Sequence, residues 1–370
     1  MTIQNWFELS DNEDVISPAL LVYPERILHN IRIMIEMAGG TEYLRPHIKT
    51  HKTAEIIKMQ LDQGIQKFKC ATIAEAELLA LCKAPDILLA MQPVGTSTKR
   101  FFDLMDTYPD SKFSALVDNT DTFEALSTFA KSKALKISLW MDINCGMNRT
   151  GIIPDESAVA LYQKMDADPN IEILGLHAYD GHIHHKDVVE RKKACDNAFA
   201  NVIDLKKNLV SKGLKVNGIV AGGSPTFPFH AKRESVEASP GTTLLWDAGY
   251  AASFPEMEFL PAAVLLTRIV SKPNENTVCL DLGHKHMASE MPFPRVQFLN
   301  MNDCIQKGQS EEHFVLGCEN VTHLKVGAVC YALPVHICPT VAKYEALQVV
   351  SEGQVIESWK VAARNQQISI

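Results

Sequence analysis

The chain lacks several features that would each have named a class of protein. No stretch approaches ~18 consecutive apolar residues, so nothing reads as a membrane span. There is no surplus of basic residues; the formal net charge is −8, which argues against nucleic acid or an acidic membrane as partner. The opening MTIQNWFELSDNEDV is acidic and lacks a positive start followed by an apolar run, so no signal peptide is read. There are no internal repeats and no low-complexity tracts. The nine cysteines, an odd number, include no Cys-x-x-Cys pair, which points to reduced thiols in a cytoplasmic protein. Most are expected to be buried small hydrophobes, with Cys338 the exception.

What is present is the balance of a globular protein with ample core: 370 residues, 46% hydrophobic and 22% charged. From about residue 15 to 250, short β-rich apolar runs alternate with helical stretches. The runs are YLRPHI (43–48), KFKCAT (67–72), DILLAM (86–91), KFSALV (112–117), KISLWMD (136–142), IEILGLHA (171–178), NGIVAG (217–222) and TTLLWD (242–247). Between them, segments such as 187–213, with apolar residues three and four apart and a terminal Gly213, read as capped amphipathic helices. Eight such strands predict an α/β fold, a (βα)8 barrel over residues 15–252. Beyond it, AAVLLTRIVS, TVCLDLGH, RVQFLN and EALQVVSEGQVIESWKVAA predict a β-rich C-terminal domain over 253–370, with residues 1–14 packed on it.

Barrel enzymes place their chemistry at the C-terminal ends of strands. Polar residues gather at those ends here. Lys49 and His51 follow the first run, in RPHIKTHK (45–52), and Gln92 follows the third. Asn144, Asn148 and Arg149 follow the fifth, and the sixth ends in HAYDGH with His177, Tyr179, Asp180 and His182. The seventh ends in AGGSPTF, where Gly222 and Gly223 allow close backbone approach to an anion and Ser224 and Thr226 offer hydroxyls. That loop is where such barrels bind phosphate. A phosphate site opposite a strand-end lysine points to pyridoxal phosphate. Lysine forms a Schiff base with its aldehyde, and the nearby Arg45, His47 and Lys52 would help keep the amine neutral and nucleophilic.

Taken in order, RPHIKTHK, GMNRTG (146–151), HAYDGH, AGGSPTF with PGT (240–242), DLGHK (281–285) and HICPTV (336–341) resemble the D-threonine aldolase and D-serine dehydratase family. These are fold-type III pyridoxal enzymes related to alanine racemase. The resemblance implies a homodimer in which Lys49 holds the cofactor covalently and Arg149 lies beside its ring. It further implies that Gln92, Gly222, Gly223, Ser224, Thr226, Gly241 and Thr242 help bind the cofactor, and that His177 faces the ring nitrogen. His51 and Tyr179 join Lys49 as catalytic residues, and His336 and Cys338 bind a divalent metal. Three positions depart from the family's pattern. Aldolases carry aspartate where this chain has Cys338, histidine is unusual at 177, and Thr243 replaces a tyrosine.

Histidine and cysteine two apart on an extended segment point to one face. Imidazole plus thiolate favours zinc, with manganese as the other candidate. The histidine groups HIHH (182–185) and HKH (284–286) are assigned no metal. The function expected is a lyase on small β-hydroxy D-amino acids, cleaving them to glycine and an aldehyde. Dehydration to a keto acid and ammonia is the alternative. A racemase, a non-catalytic cofactor carrier and a metal-only hydrolase stand further back, because the His336–Cys338 pair would serve no purpose in the first two and is too few ligands for the third.

Overall fold

A computed structural model describes residues 5–301 and 303–370. The chain divides into two compact units, each assembled from several stretches. One comprises Met34–Lys49, Ile57–Gly241 and Asn365–Ile370; the other comprises Met1–Ile33, Thr50–Ile56 and Thr242–Arg364.

Strand β1 (Ala19–Val22) belongs to the second unit; the first is built on β2 (Lys67–Cys70), β3 (Asp86–Leu89), β4 (Lys112–Val117), β5 (Ile137–Asp142), β6 (Ile171–Ala178), β7 (Gly218–Ala221) and β8 (Val236–Ala238). These seven are parallel and hydrogen-bonded in sequence order, with helices in the connections. The eighth strand position is held by residues 44–47, which bridge β8 through Leu44↔Ala238 and β2 through His47↔Lys69. Arg45 and His47 donate their N–H groups to Ala238 and Pro240, while Pro46 accepts from Lys69. Pro46 has no N–H to give back, so the ladder on the β2 side stays at a single bridge. One expected strand is corrected. Residues 242–247 begin with a 3-10 turn, Thr242–Leu244, and Trp246 has φ 41°; the strand lies earlier, at 236–238.

The helices start where the chain offers caps. Thr72, Asn119, Asp155 and Asp187 each accept a backbone N–H in the first turn of α3 (Ile73–Leu81), α5 (Thr120–Ser132), α6 (Glu156–Asp166) and α7 (Val188–Ser211) respectively. Two further helices, α1 (Pro24–Ala38) and α2 (Ala54–Asp62), precede α3, and α4 (Thr96–Thr107) precedes α5. Gly213 closes the connection after α7 with φ 82°.

The second unit is a β-sheet. Long β9 (Ala263–Asn274) pairs with β1, β10 (Thr277–Leu280) and β14 (Val329–Pro334). The edges are continued by β11 (Val296–Phe298) on β14 and by β12 (Cys304–Gln309) on β13 (Phe314–Cys318), which pairs with β10. On the other side β15 (Ala346–Ser351) pairs with β1 and β16 (Gln354–Lys360). Phe7, Leu9, Leu21, Val264, Leu266 and Tyr331 form part of its core. The expectation that all nine thiols are reduced is overturned. Cys304 and Cys318 stand directly opposite each other in the β12–β13 ladder and form a disulfide.

Candidate active site

Side chains alternate faces along a strand, so residues 45 and 47 share a direction, as do 67 and 69. Lys49 sits in a 3-10 turn, Ile48–Thr50, directly after the bridged segment. It lines a cavity of about 330 Å³ together with Lys69, Asp142, Arg149, His177 and Tyr179. The apolar part of the wall comes from Ala71, Ala90 and Leu116. Four of these residues, Lys49, Arg149, His177 and Tyr179, were expected at the site from the sequence.

The register of β5 on β6 makes Asp142 and His177 direct neighbours. Asp142 Oδ1 lies 2.7 Å from His177 Nδ1, and both residues are buried. Nε2 of His177 is buried without a hydrogen-bond partner. Burial drives the imidazole below its ordinary value, the charges of Lys69 and Arg45 add to this, and Asp142 opposes it. Burial likewise pushes the Lys69 amine down to about 7, with the charge of Lys49 adding to the effect. Tyr179 is the aromatic element of the cavity. Its ring centre lies 5.0 Å from the Arg149 guanidinium carbon, 5.6 Å from Lys49 Nζ and 5.8 Å from Lys69 Nζ. Arg149 is delivered by a loop folded on Asn144, whose Oδ1 accepts the N–H groups of Gly146 and Asn148.

The glycine loop is anchored from below. Asp180 accepts hydrogen bonds from Thr226 Oγ1 at 2.8 Å and His230 Nε2 at 2.8 Å. Thr226 Oγ1 also accepts from the Gly223 N–H at 3.3 Å, and Ser224 Oγ accepts from Gly241 N–H at 3.2 Å. A Cβ on Gly222, which has φ 79°, would meet His230 at 2.5 Å, so that position demands glycine; one on Gly223 would press on the Tyr179 ring at 3.0 Å. Burial alone would raise the Asp180 carboxyl, but His230 and Thr226 outweigh it and hold it below the usual range. Asp180, Cys195 and His230 are buried, with ligand atoms all within 4.8 Å of one another, so this cluster could hold a metal ion. The sequence does not single the cluster out, because Asp180, Cys195 and His230 are dispersed over 50 positions.

Two expectations about the neighbourhood of Lys49 are corrected. The Arg45 guanidinium is matched by Asp86 at 2.6 Å and Glu237 at 2.6 Å, so its charge is already balanced. The additional cation lining the cavity is Lys69, which alternation along KFKC turns inward. Gln92 does not line this cavity. Its amide donates to Asp118 and its carbonyl accepts from Asn119 and the Asp118 N–H, and it borders a separate pocket with Arg100.

The second unit holds the other predicted cluster. His336 is extended, but Cys338 lies in a short helix, Ile337–Val341, rather than on an extended segment. Pro339 suits its first turn, where an N–H has no helical partner. Imidazole and thiol still meet as hydrogen-bond partners. Burial works against ionising Cys338, but hydrogen bonds from His336, Thr50 and Thr242 prevail and lower it. The pairing with Cys338 pushes the His336 imidazole up to about 9. Thr50 and Thr242 Oγ1 lie 3.2 and 3.5 Å from Cys338 Sγ, so the Thr242 hydroxyl, expected at the cofactor, is directed to the thiol. Two carboxylates absent from the sequence reading complete the cluster. Glu290 Oε1 lies 2.5 Å from His336 Nδ1, and Asp247 accepts the Ile337 N–H at 3.0 Å. Also in this unit, His51 is fully buried; its Nδ1 accepts from Thr53 N–H and its Nε2 has no partner. Burial pushes its imidazole down to about 3.

Comparison with known proteins agrees with this geometry. A family model described as "Alanine racemase, N-terminal domain" matches residues 22–248, and one described as "Putative serine dehydratase domain" matches 262–350. The chain is 26% identical over 356 residues to D-threonine aldolase of Arthrobacter sp, covering 95% of this chain and 93% of that protein. It is 22% identical over 372 residues to D-threo-3-hydroxyaspartate dehydratase of Delftia sp. (strain HT23), covering 93% and 96%. The crystal structure of D-threonine aldolase from Filomicrobium marinum superposes with a TM-score of 0.87 at 25% identity, covering 95% and 96%. With its barrel unit matched from 22 to 248 and its β region matched beyond it, the chain belongs to the alanine racemase N-terminal domain family, in the form joined to a serine dehydratase domain.

Proposed function

We propose that the chain is a pyridoxal phosphate- and divalent-metal-dependent lyase that cleaves β-hydroxy D-amino acids to glycine and an aldehyde. The observation that carries this reading is the cavity shared by Lys49, Arg149, His177 and Tyr179. The residues fit the cofactor on two counts. His177 Nε2 is an orphaned buried polar atom, and the loop after β7 brings the Ser224 and Thr226 hydroxyls together with two glycines packed closely on His230 and Tyr179. Bound there, pyridoxal phosphate would supply an aldehyde for a lysine amine and an electron sink for the substrate's Cα.

Each residue then has a task. Lys49 holds the cofactor and moves the proton at Cα. Gly222, Gly223, Ser224, Thr226 and Gly241 hold the phosphate, and Arg149 lies beside the ring. His336 and Cys338 offer a soft donor pair that suits zinc, with manganese as the harder alternative. A divalent ion held by this pair would supply Lewis-acid chemistry toward the substrate's β-oxygen. His51 stays neutral, and because its Nδ1 accepts the Thr53 N–H its ring proton sits on Nε2, so the catalytic place we give it is that of a hydrogen-bond donor to the substrate.

The aldolase reaction is favoured by similarity to D-threonine aldolases in both sequence and structure. Dehydration to a keto acid and ammonia is the second reading, favoured by Cys338 at a position where the resemblance places cysteine in dehydratases. The matched ranges run close to residues 15–252 as the cofactor-binding domain and 253–370 as the β domain with the metal pair, although β1 and residues 50–56 and 242–252 fold with the β unit. No helix among the described residues is long and apolar enough to cross a membrane. We read the enzyme as a homodimer, as the resemblance implies.

Product analysis with D-threonine and D-serine tests the proposal. Glycine and acetaldehyde from D-threonine support aldol cleavage, whereas keto acid and ammonia support dehydration. Lys49→Ala abolishes turnover and the visible absorbance of lysine-bound cofactor. Normal turnover in that variant sinks the assignment.

A further inference from the structure

Two buried ionisable residues line the barrel cavity without a task in the proposed chemistry, Asp142 and Lys69. Asp142 holds His177 Nδ1 at 2.7 Å, and the dyad has two possible states. In one the imidazole is neutral, Nδ1–H donates to the carboxylate and Nε2 presents a lone pair. In the other the ring is an imidazolium with an N–H on each nitrogen. Asp142 alone would favour the charged ring, because a buried carboxylate without a counter-charge is costly.

The charged groups around the dyad decide between these states. Arg45 is matched by Asp86 and Glu237, and Asp180 is bonded to His230 and Thr226. Lys49, His47 and Arg149 line the cavity, with Arg149 exposed. Lys69 differs from Lys49 and Arg149 in depth. It is 2% exposed, it lines the same cavity as Asp142 and His177, and its Nζ lies 5.8 Å from the Tyr179 ring centre.

We propose that Lys69 is a positioning residue. Its ammonium is the counter-charge to Asp142, and so keeps His177 neutral with Nε2 offered to the cavity as a hydrogen-bond acceptor. Whatever lies against Nε2 must then bring an N–H or O–H. If the cavity takes pyridoxal phosphate, the ring is bound with its nitrogen protonated; this consequence rests on the function proposed above, whereas the state of His177 does not.

The test is NMR of the full-length chain with 13C,15N-labelled histidine at pH 6.0, with cofactor and after its removal. His177 is assigned by the signal lost in His177→Gln. At this pH an unperturbed histidine is mostly protonated. In the wild type His177 shows one N–H, at Nδ1. In Lys69→Met it gains the second N–H of an imidazolium, in Lys69→Arg it stays neutral, and adding Asp142→Asn to Lys69→Met returns it to neutral. If Lys69→Met fails to fold, Lys69→Gln serves in its place. An imidazolium in the wild type, or a neutral ring in the charge-removing variant, overturns the proposal. A protein that never binds cofactor leaves this readout intact and counts against the proposed function instead.

Discussion

Asp180 receives the Thr226 hydroxyl at 2.8 Å, so a carboxylate at the end of β6 holds the loop that follows β7. The carboxylate orders the Thr226 hydroxyl, which in turn accepts the Gly223 N–H. Asp180→Asn removes a charged acceptor from two hydrogen bonds, each worth roughly 1.5–3 kcal/mol. Cofactor affinity is expected to fall about tenfold or more, read by equilibrium dialysis. Metal content by elemental analysis distinguishes a second role. Loss of the ion in Asp180→Asn places the metal at Asp180, Cys195 and His230, whereas retention leaves it to His336 and Cys338.

For the His336–Cys338 pair, chelation is expected to stop lyase turnover while the visible absorbance of the bound cofactor remains. Cys338→Ala loses most metal affinity, and Cys338→Asp keeps a site that prefers harder ions such as manganese. Glu290→Gln lowers affinity roughly 10–100-fold, as expected when the carboxylate that orients a ligating histidine is removed. Isothermal titration with zinc and manganese reads all three variants. Full lyase activity in metal-free protein would return Cys338 to the ordinary thiols.

Arg149 is exposed, with its guanidinium carbon 5.0 Å from the Tyr179 ring centre. Arg149→Ala should therefore change stability by no more than about 0.5 kcal/mol while lowering turnover at least tenfold. Calorimetry beside steady-state kinetics separates the two. A melting temperature that falls together with the activity points to a structural role.

Lys69 predicts a pH dependence of stability. Its folded pKa of about 7 lies below the unfolded value of 10.5, so the unfolded chain binds more protons between these limits. Stability from this group therefore rises as pH increases from about 7 towards 10.5, and its cost is fully present below 7. In cofactor-free protein, Lys69→Met is expected to gain stability near pH 6, by an amount on the order of a few kcal/mol, and to gain little near pH 10. Urea denaturation at the two pH values reads the difference. An equal gain at both would show that the amine is not neutralised by folding.

Much of this was legible along the chain because the signals are local. Alternating apolar runs, capped helices and polar residues at strand ends depend on neighbours a few positions apart, and they located Lys49, Arg149, His177, Tyr179 and the glycine loop. The misplaced last strand shows the limit of such signals. TTLLWD is as apolar as the true strand VEA is short, and only pairing with β7 and Leu44 distinguishes them.

The sequence by itself determined the alternation that builds the barrel, the β-rich region after it, and the residue types available for a lysine, phosphate and metal chemistry. Tertiary structure decided how those residues are charged and with whom they pair. Arg45 and Lys69 look alike as cations in a strand, yet one is matched by Asp86 and Glu237 and the other is left inside the cavity. Glu290 reaches His336 across 46 positions, Asp247 reaches Ile337 across 90, and Asp142 meets His177 only through strand register. The physical reason is that ionisation and hydrogen bonding depend on burial and on distances of a few ångströms, and both are properties of the folded chain.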